Sequence, residues 1–272
     1  MILGPRFNSC KLAFLSAVVL LLHGTCQGQA FAGDIATPTG LHAGDQFRFI
    51  FVTPTSATID ATSSAISDYN TLVNNYAQGF SYNGTALTAQ AIVSTNGVNG
   101  VNAITNVNVG GVDNVAVYRA DGQEVAASTK NAAGGLFYGD PLSVHPVEDL
   151  SGTSYSTGYV WTGSSGNGVE YYTNTPTGSV YWGAGSSAIF TDNGVNPPVN
   201  YDNHVEVGDL SSNTTYEWLS RGFAAGLQLK TNTYQVYGIS QVFTVVPEPS
   251  SLMISGLGIL MVGLAQRNRK RN

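Results

Sequence analysis

The chain ends on three consecutive features that decide which of its residues are free to fold as a domain. They are Val246-Pro247-Glu248-Pro249-Ser250, an uncharged apolar run from Ser251 to Ala265, and a tail carrying Arg267, Arg269, Lys270 and Arg271. Pro247 and Pro249 lack an N–H donor and their rings clash with a preceding helical turn, so the pair marks a hinge. As a helix, residues 251–265 would extend about 22 Å, short of a hydrocarbon core of roughly 30 Å unless flanking residues help. A short transmembrane helix is expected there, with the four cations held on the cytoplasmic side. The competing reading, a buried C-terminal helix of a globular domain, leaves the cationic cluster behind a proline hinge without a reason.

The other end agrees. Arg6 and Lys11 precede the apolar stretch Leu12–Leu22, and Gly28 and Ala30 sit three and one positions before a cut ahead of Phe31. This order reads as a secretory signal peptide over residues 1–30, which makes the Sec translocon and signal peptidase expected partners. Lipidation at Cys26 is the alternative, but His23-Gly24-Thr25 lacks the apolar and small residues a lipobox needs. The expected division is signal peptide 1–30, an extracytoplasmic β-rich domain 31–246, and a sorting segment 247–272. Cys10 and Cys26 both fall in the removed segment, so the mature domain has no disulfide, zinc-thiolate site or cysteine nucleophile.

The C-terminal order of Pro-Glu-Pro, short apolar helix and basic end resembles the PEP-CTERM sorting signal of Gram-negative envelope proteins. The resemblance implies that Pro247, Glu248 and Pro249 form the sorting motif and that Arg267, Arg269, Lys270 and Arg271 are the cytoplasmic anchor. It further implies export, a transient inner-membrane intermediate, and processing by an exosortase, followed by release to the cell surface or extracellular matrix.

Charge narrows the ligands of the folded part. From Phe31 to Val246 the cations are Arg48, Arg119, Lys130, Arg221 and Lys230, against 16 Asp and Glu, so the formal charge is 5 − 16 = −11. Such a surface repels phosphate backbones and sulfated glycans, and nucleic acid is not an expected partner.

The segment Asp45–Val52 places Phe47, Phe49 and Phe51 at period two, a strand signal that Pro54 ends. Thr62-Ser63-Ser64 offers capping hydroxyls before Ile66, Tyr69, Leu72, Val73 and Tyr76, whose spacing makes one helical stripe. Asn70, Asn74 and Gln78 form its polar face. Six turn pairs follow: Asn83-Gly84, Asn96-Gly97, Asn99-Gly100, Asp121-Gly122, Gly134-Gly135 and Asn193-Gly194. Strands are expected at Ala89–Ser94, Asn114–Arg119, Tyr159–Thr162, Val180–Trp182 and Tyr234–Val246. The Asn-, Gly- and Val-rich stretch Asn96–Val112 reads as a hairpin with a mobile tip. The helix should pack on a sheet that contains both the Asp45–Val52 and Tyr234–Val246 strands.

Four ordered landmarks, Val117–Val125, Gly158–Ser164, Tyr216–Leu219 and Tyr237-Gly238-Ile239, resemble those of endostatin-like domains. These belong to the C-type-lectin-like fold, so the expected class is α+β: a twisted antiparallel sheet with one main N-terminal helix, alongside the signal helix and the C-terminal membrane helix. The Glu-Pro-Asn, Gln-Pro-Asp and Trp-Asn-Asp triplets of calcium-dependent lectins do not occur in the chain. Asp192, Asp202, Glu206 and Asp209 could still gather around calcium, with a solvated acidic loop as the competing reading. No metal or cofactor is expected.

Catalytic motifs are missing from the sequence. His42, His145 and His204 form no HxH or HExxH pair, and Gly163-Ser164-Ser165-Gly166 lacks the spacing of a nucleophile elbow. The feature closest to a site is aromatic: Tyr155, Tyr159, Trp161, Tyr171, Tyr172, Tyr181 and Trp182 lie within 28 residues among Gly, Ser, Thr and Asn. Aromatic faces stack on sugar rings, which makes Tyr155, Tyr171, Tyr172, Tyr181 and Trp182 candidate glycan contacts; core packing is the competing role, for Trp161 above all. The sequence thus leads to a non-catalytic exported envelope or matrix protein with a neutral exopolysaccharide as candidate ligand. The alternatives are an extracellular hydrolase with an unmarked active site and a purely structural coat or adhesin component.

Overall fold

The computed structural model describes residues 33–246 other than 98–99, 112–113, 139–141, 176–177, 187–190, 193–198, 212–216 and 223–224. The expected signal peptide (1–30), the Pro247–Pro249 motif, the 251–265 helix and the Arg267–Arg271 tail lie outside the described residues. Among the described residues, no helix is long and apolar enough to cross a membrane.

The strands are β1 (Gly33–Asp34), β2 (Gln46–Val52), β3 (Phe80–Tyr82), β4 (Thr85–Ala86), β5 (Ala89–Ala91), β6 (Ala116–Tyr118), β7 (Glu124–Ala126) and β8 (Tyr159–Trp161). They continue with β9 (Tyr172–Thr175), β10 (Gly178–Tyr181), β11 (Thr191–Asp192), β12 (Val199–Asn200), β13 (His204–Asp209), β14 (Leu227–Leu229), β15 (Gln235–Ser240) and β16 (Phe243–Thr244). The helices are α1 (Ile66–Ala77) and α2 (Ala103–Val107), giving an α+β fold that is mostly sheet.

Among the described residues, nine strands make the main sheet in the order β14-β13-β8-β15-β2-β6-β7, with β5 added to β15 and β16 to β2; the sheet is mixed and not antiparallel throughout as expected, because β15 runs parallel to β8 and β2 parallel to β6. The two strands expected to share a sheet are neighbours: Tyr237 faces Val52 in the antiparallel β15–β2 pair. The expected final strand is broken at Gln241-Val242, after which β16 returns to β2 with Phe243 opposite Phe47. The break has a side-chain cause. Ser240 Oγ accepts the Phe49 N–H at 2.8 Å, a bond the backbone ladder would otherwise supply.

Phe47, Phe49 and Phe51 are fully buried on one face, as period two requires, and Phe47 meets Phe49 and Tyr82 edge-on at 5.1 Å. Helix α1 covers this face. Tyr69, Val73 and Ala77 are buried there, with Ile66, Leu72 and Tyr76 packed around them. Full burial of each large apolar side chain contributes about 1.5–3 kcal/mol. The opposite face is also covered, by a second core in which Ile50, Val52, Val107, Val117, Trp218 and Tyr237 meet.

The helix start differs from expectation. Ala65 takes the N-cap position with no side-chain cap, while Ser63 Oγ accepts the Ala65 N–H and donates to Asp68 at 2.6 Å. The polar stripe of α1 does not face water throughout, because Asn74 Oδ1 accepts the Ala89 N–H and Asn70 Oδ1 the Ala91 N–H. Two helix amides thereby close an edge of β5 that would otherwise be left open.

Asn83-Gly84 makes the expected tight turn between β3 and β4, with φ of 49° and 72°. The hairpin expected over Asn96–Val112 is instead the site of α2. Ser94 Oγ accepts the Ala103 N–H at 2.9 Å, and Asn106 Nδ2 donates to Asn70 Oδ1 and the Ala91 carbonyl, so long-range partners hold a helical turn where local chemistry suggested a β-turn. Val180–Trp182 also shifts: β10 pairs with β9 as a separate hairpin and ends at Tyr181.

Candidate functional site

The β9–β10 hairpin sets Tyr172 directly opposite Tyr181. Cross-strand partners project to the same side of a hairpin, so both rings emerge together. They lie 5.8 Å apart, tilted by 41°, and remain 49% and 45% exposed. Beside them opens a cleft of about 340 Å³, bounded also by Thr95, Gly97, Gly100, Asn102, Val169 and Glu170.

The polar wall is fixed from below. Glu170 accepts from Asn96 Nδ2 at 2.6 Å and from the Gly183 N–H at 3.2 Å, while its own N–H donates to Asn102 Oδ1 at 2.8 Å. Partial burial pushes the Glu170 carboxyl up, and the Asn96 and Gly183 donors oppose that rise. Ser94, next in the chain to the lining residue Thr95, forms a buried hydroxyl pair with Ser164 at 2.8 Å. Gly163, at φ 56°, lets two backbone segments approach there, since a Cβ would collide with the Ser94 carbonyl.

The cleft therefore offers two exposed aromatic faces next to a held carboxylate and amides. Such a surface can stack on the C–H face of a sugar while accepting hydrogen bonds from its hydroxyls. Glu170 is the one carboxylate among the described residues lining it, whereas a glycosidase flanks the scissile bond with two.

Of the sequence candidates, the structure brings Tyr172 and Tyr181 together at the surface, packs Tyr171 with Trp182 in an inner cluster, and places Tyr155 elsewhere. Trp182 is corrected: it is 0% exposed, packed in a small cluster with Tyr201, Leu227, Tyr171 and Val180, and has no face to offer a ligand. Tyr171 is half-buried against that cluster. Tyr155 packs on the second core, and its hydroxyl donates to Asp149 at 2.8 Å; burial and then this bond push its pKa up to about 12. Trp161 is a core residue, its Nε1 donating to the Ile59 carbonyl. Glu170, Asn96 and Asn102 were missed by sequence reasoning, because nothing local distinguishes them from other polar loop residues.

The Asp192 side chain lies outside the described residues, and the other acidic candidates do not form a cluster among them. Glu206 and Asp209 are buried in β13, so the solvated-loop reading fails for them as well. Glu206 Oε1 accepts from Ser220 and the Gly222 N–H, and Asp209 pairs with Arg221 at 3.1 Å. Among the described residues, no group of three or more His, Cys, Asp or Glu side chains could share a metal ion.

No curated protein and no solved structure matches the chain. Residues 245–270 do match a family description, the PEP-CTERM protein-sorting motif. The chain therefore carries the C-terminal sorting signal of an exosortase substrate, and with it the mark of an exported protein.

Proposed function

We propose that this protein is a non-catalytic component of the cell envelope or extracellular matrix, and that its processed domain holds a neutral polysaccharide weakly on Tyr172 and Tyr181. In this reading residues 1–30 are removed by signal peptidase after Sec export. The chain then passes through the inner membrane on 251–265, with Arg267–Arg271 inside, and exosortase acts near Pro247–Pro249. The fold is read as C-type-lectin-like. Pairing of the first long strand with the last, with α1 packed on the sheet, supports that relation.

The observation that carries the ligand assignment is the exposed Tyr172–Tyr181 pair beside Glu170 and Asn102. A domain at −11 repels polyanions, while stacking of an uncharged ring is insensitive to that field. A few stacked rings and exposed hydrogen bonds give roughly −4 to −6 kcal/mol, a dissociation constant from about millimolar to tens of micromolar.

Affinity electrophoresis of the exported protein in neutral and sulfated polysaccharide gels, with and without chelator, tests this. Retardation is expected in neutral gels alone and is indifferent to chelator. Tyr172→Ala and Tyr181→Ala each weaken it by about tenfold, equivalent to about 1.4 kcal/mol, within the range of a lost aromatic contact. Unchanged retardation in both variants, or its loss on chelation, would overturn the assignment.

A further inference from the structure

Arg48 stands between Phe47 and Phe49 in β2, on the face opposite the phenyl rings, and is only 2% exposed. A buried guanidinium ordinarily faces a carboxylate, because desolvation of an uncompensated charge is costly. Among the described residues Arg48 has no ion pair. Nε donates to the Ser240 carbonyl at 2.7 Å and Nη1 to the Val107 carbonyl, the last of α2, at 2.6 Å. A guanidinium carries five N–H donors, and no acceptor among the described residues takes up Nη2. Burial pushes the Arg48 pKa down to about 10, so the group stays cationic at neutral pH.

This cation lines a cavity of about 440 Å³ together with Gln90, Val109, Ile239 and Gln241. The Gln241 amide is committed, its Oε1 to the Thr88 N–H and its Nε2 to the Ala86 carbonyl. The Gln90 side chain has no hydrogen-bond partner among the described residues. Val109, 62% exposed, forms an apolar rim, and Ile239 an apolar wall. A desolvated cation with spare donors, one free amide and two apolar contacts thus share a space large enough for a single sugar ring.

We infer that this cavity binds one carboxylate carried on a small polar ring, a hexuronate, with the carboxylate on Arg48 and a ring hydroxyl on Gln90. Paired N–H donors suit the two oxygens of a carboxylate, and the low dielectric of the site strengthens the contact. The surrounding charge of −11 selects a monovalent ligand, since each further negative charge is repelled. This site is separate from the Tyr172–Tyr181 cleft and does not depend on it.

The test is a calorimetric titration of the exported protein with D-glucuronate and with its neutral methyl ester. Glucuronate binds, and the ester binds at least about tenfold more weakly, because it lacks the charge Arg48 pairs with. Val109→Glu places an anion at the rim without touching the core, and lowers glucuronate affinity by about tenfold or more with an unchanged circular-dichroism spectrum. Gln90→Ala weakens it by a smaller factor. Tyr172→Ala leaves it unchanged, which separates this site from the polysaccharide cleft. Equal binding of acid and ester, absence of glucuronate binding, or an affinity that Val109→Glu does not alter would overturn the inference.

Discussion

Trp161→Ala is expected to destabilise the folded domain by about 3–5 kcal/mol, a large share of the roughly 5–15 kcal/mol that holds a domain together. Trp161 lies at the crossing of the main sheet. It faces Val207 of β13 on one side and Val236 of β15 on the other, and its ring sits 4.9 Å from that of Tyr234. Truncation removes the largest kind of core side chain and leaves the Ile59 carbonyl without its indole donor at 2.9 Å. Trp161→Phe keeps much of the volume and should cost less than the alanine change. Urea denaturation followed by far-ultraviolet circular dichroism measures both; an alanine variant within 1 kcal/mol of the parent would contradict the packing described above.

The second large effect is a pH dependence centred on Glu206. Its carboxyl is pushed up to about 8, first by desolvation, which the Ser220 and Gly222 donors and the Arg221 charge only partly offset. Gly226 packs so closely that a Cβ would collide with Oε1, and Oε2 is buried with no hydrogen-bond partner among the described residues. Arg221, the charge that acts on the carboxyl, is itself paired with Asp209. The folded state binds the proton more tightly than the unfolded chain does. Its contribution is therefore fully present below the ordinary glutamate value of about 4.3, falls as pH rises, and is lost above about pH 8, a change on the order of a few kcal/mol. Glu206→Gln mimics the protonated form and keeps Oε1 for Ser220 and Gly222. It should match the parent near pH 4.5 and exceed its stability at pH 9. Parallel stability profiles for the two proteins from pH 4.5 to 9 would refute this assignment of the buried carboxyl.

Both residues show where sequence pattern informs and where it stops. Phe47, Phe49 and Phe51 declared their face through alternation, and Ile66, Tyr69, Leu72 and Val73 their stripe, because each signal is local and the hydrophobic effect acts on it directly. That β2 and the last long strand share one sheet was expected, but apolar alternation does not choose a strand's neighbour, and their direct pairing is a finding of the structure. The opposite face of β2 was not legible. Arg48 on that face is held by carbonyls of Ser240 and of Val107 in α2, partners that no pattern local to β2 reports. The strand pattern marked Trp161 for the core, whereas the cover for Trp182 comes from Tyr201 and Leu227, beyond the range of any local pattern. Asn70 and Asn74 have the spacing of a solvated helix face and instead close the edge of β5. Turn chemistry succeeded at Asn83-Gly84 and, through the positive φ of Gly97, at Asn96-Gly97, but the hairpin read over Asn96–Val112 failed, because Asn70 of α1 and Ser94 hold α2 in place.

Export followed by exosortase cleavage at the signal matched over residues 245–270 leaves a surface protein shortened at both ends. Intact-mass spectrometry of the protein recovered from the cell surface and medium reads both cuts. The expected mass lacks the leader and the whole tail from Arg267 to Arg271, and replacing Pro247, Glu248 and Pro249 by alanine should shift the protein to an uncut, membrane-bound form. Surface protein that still carries Arg271 as its main species would show that the signal is not cut.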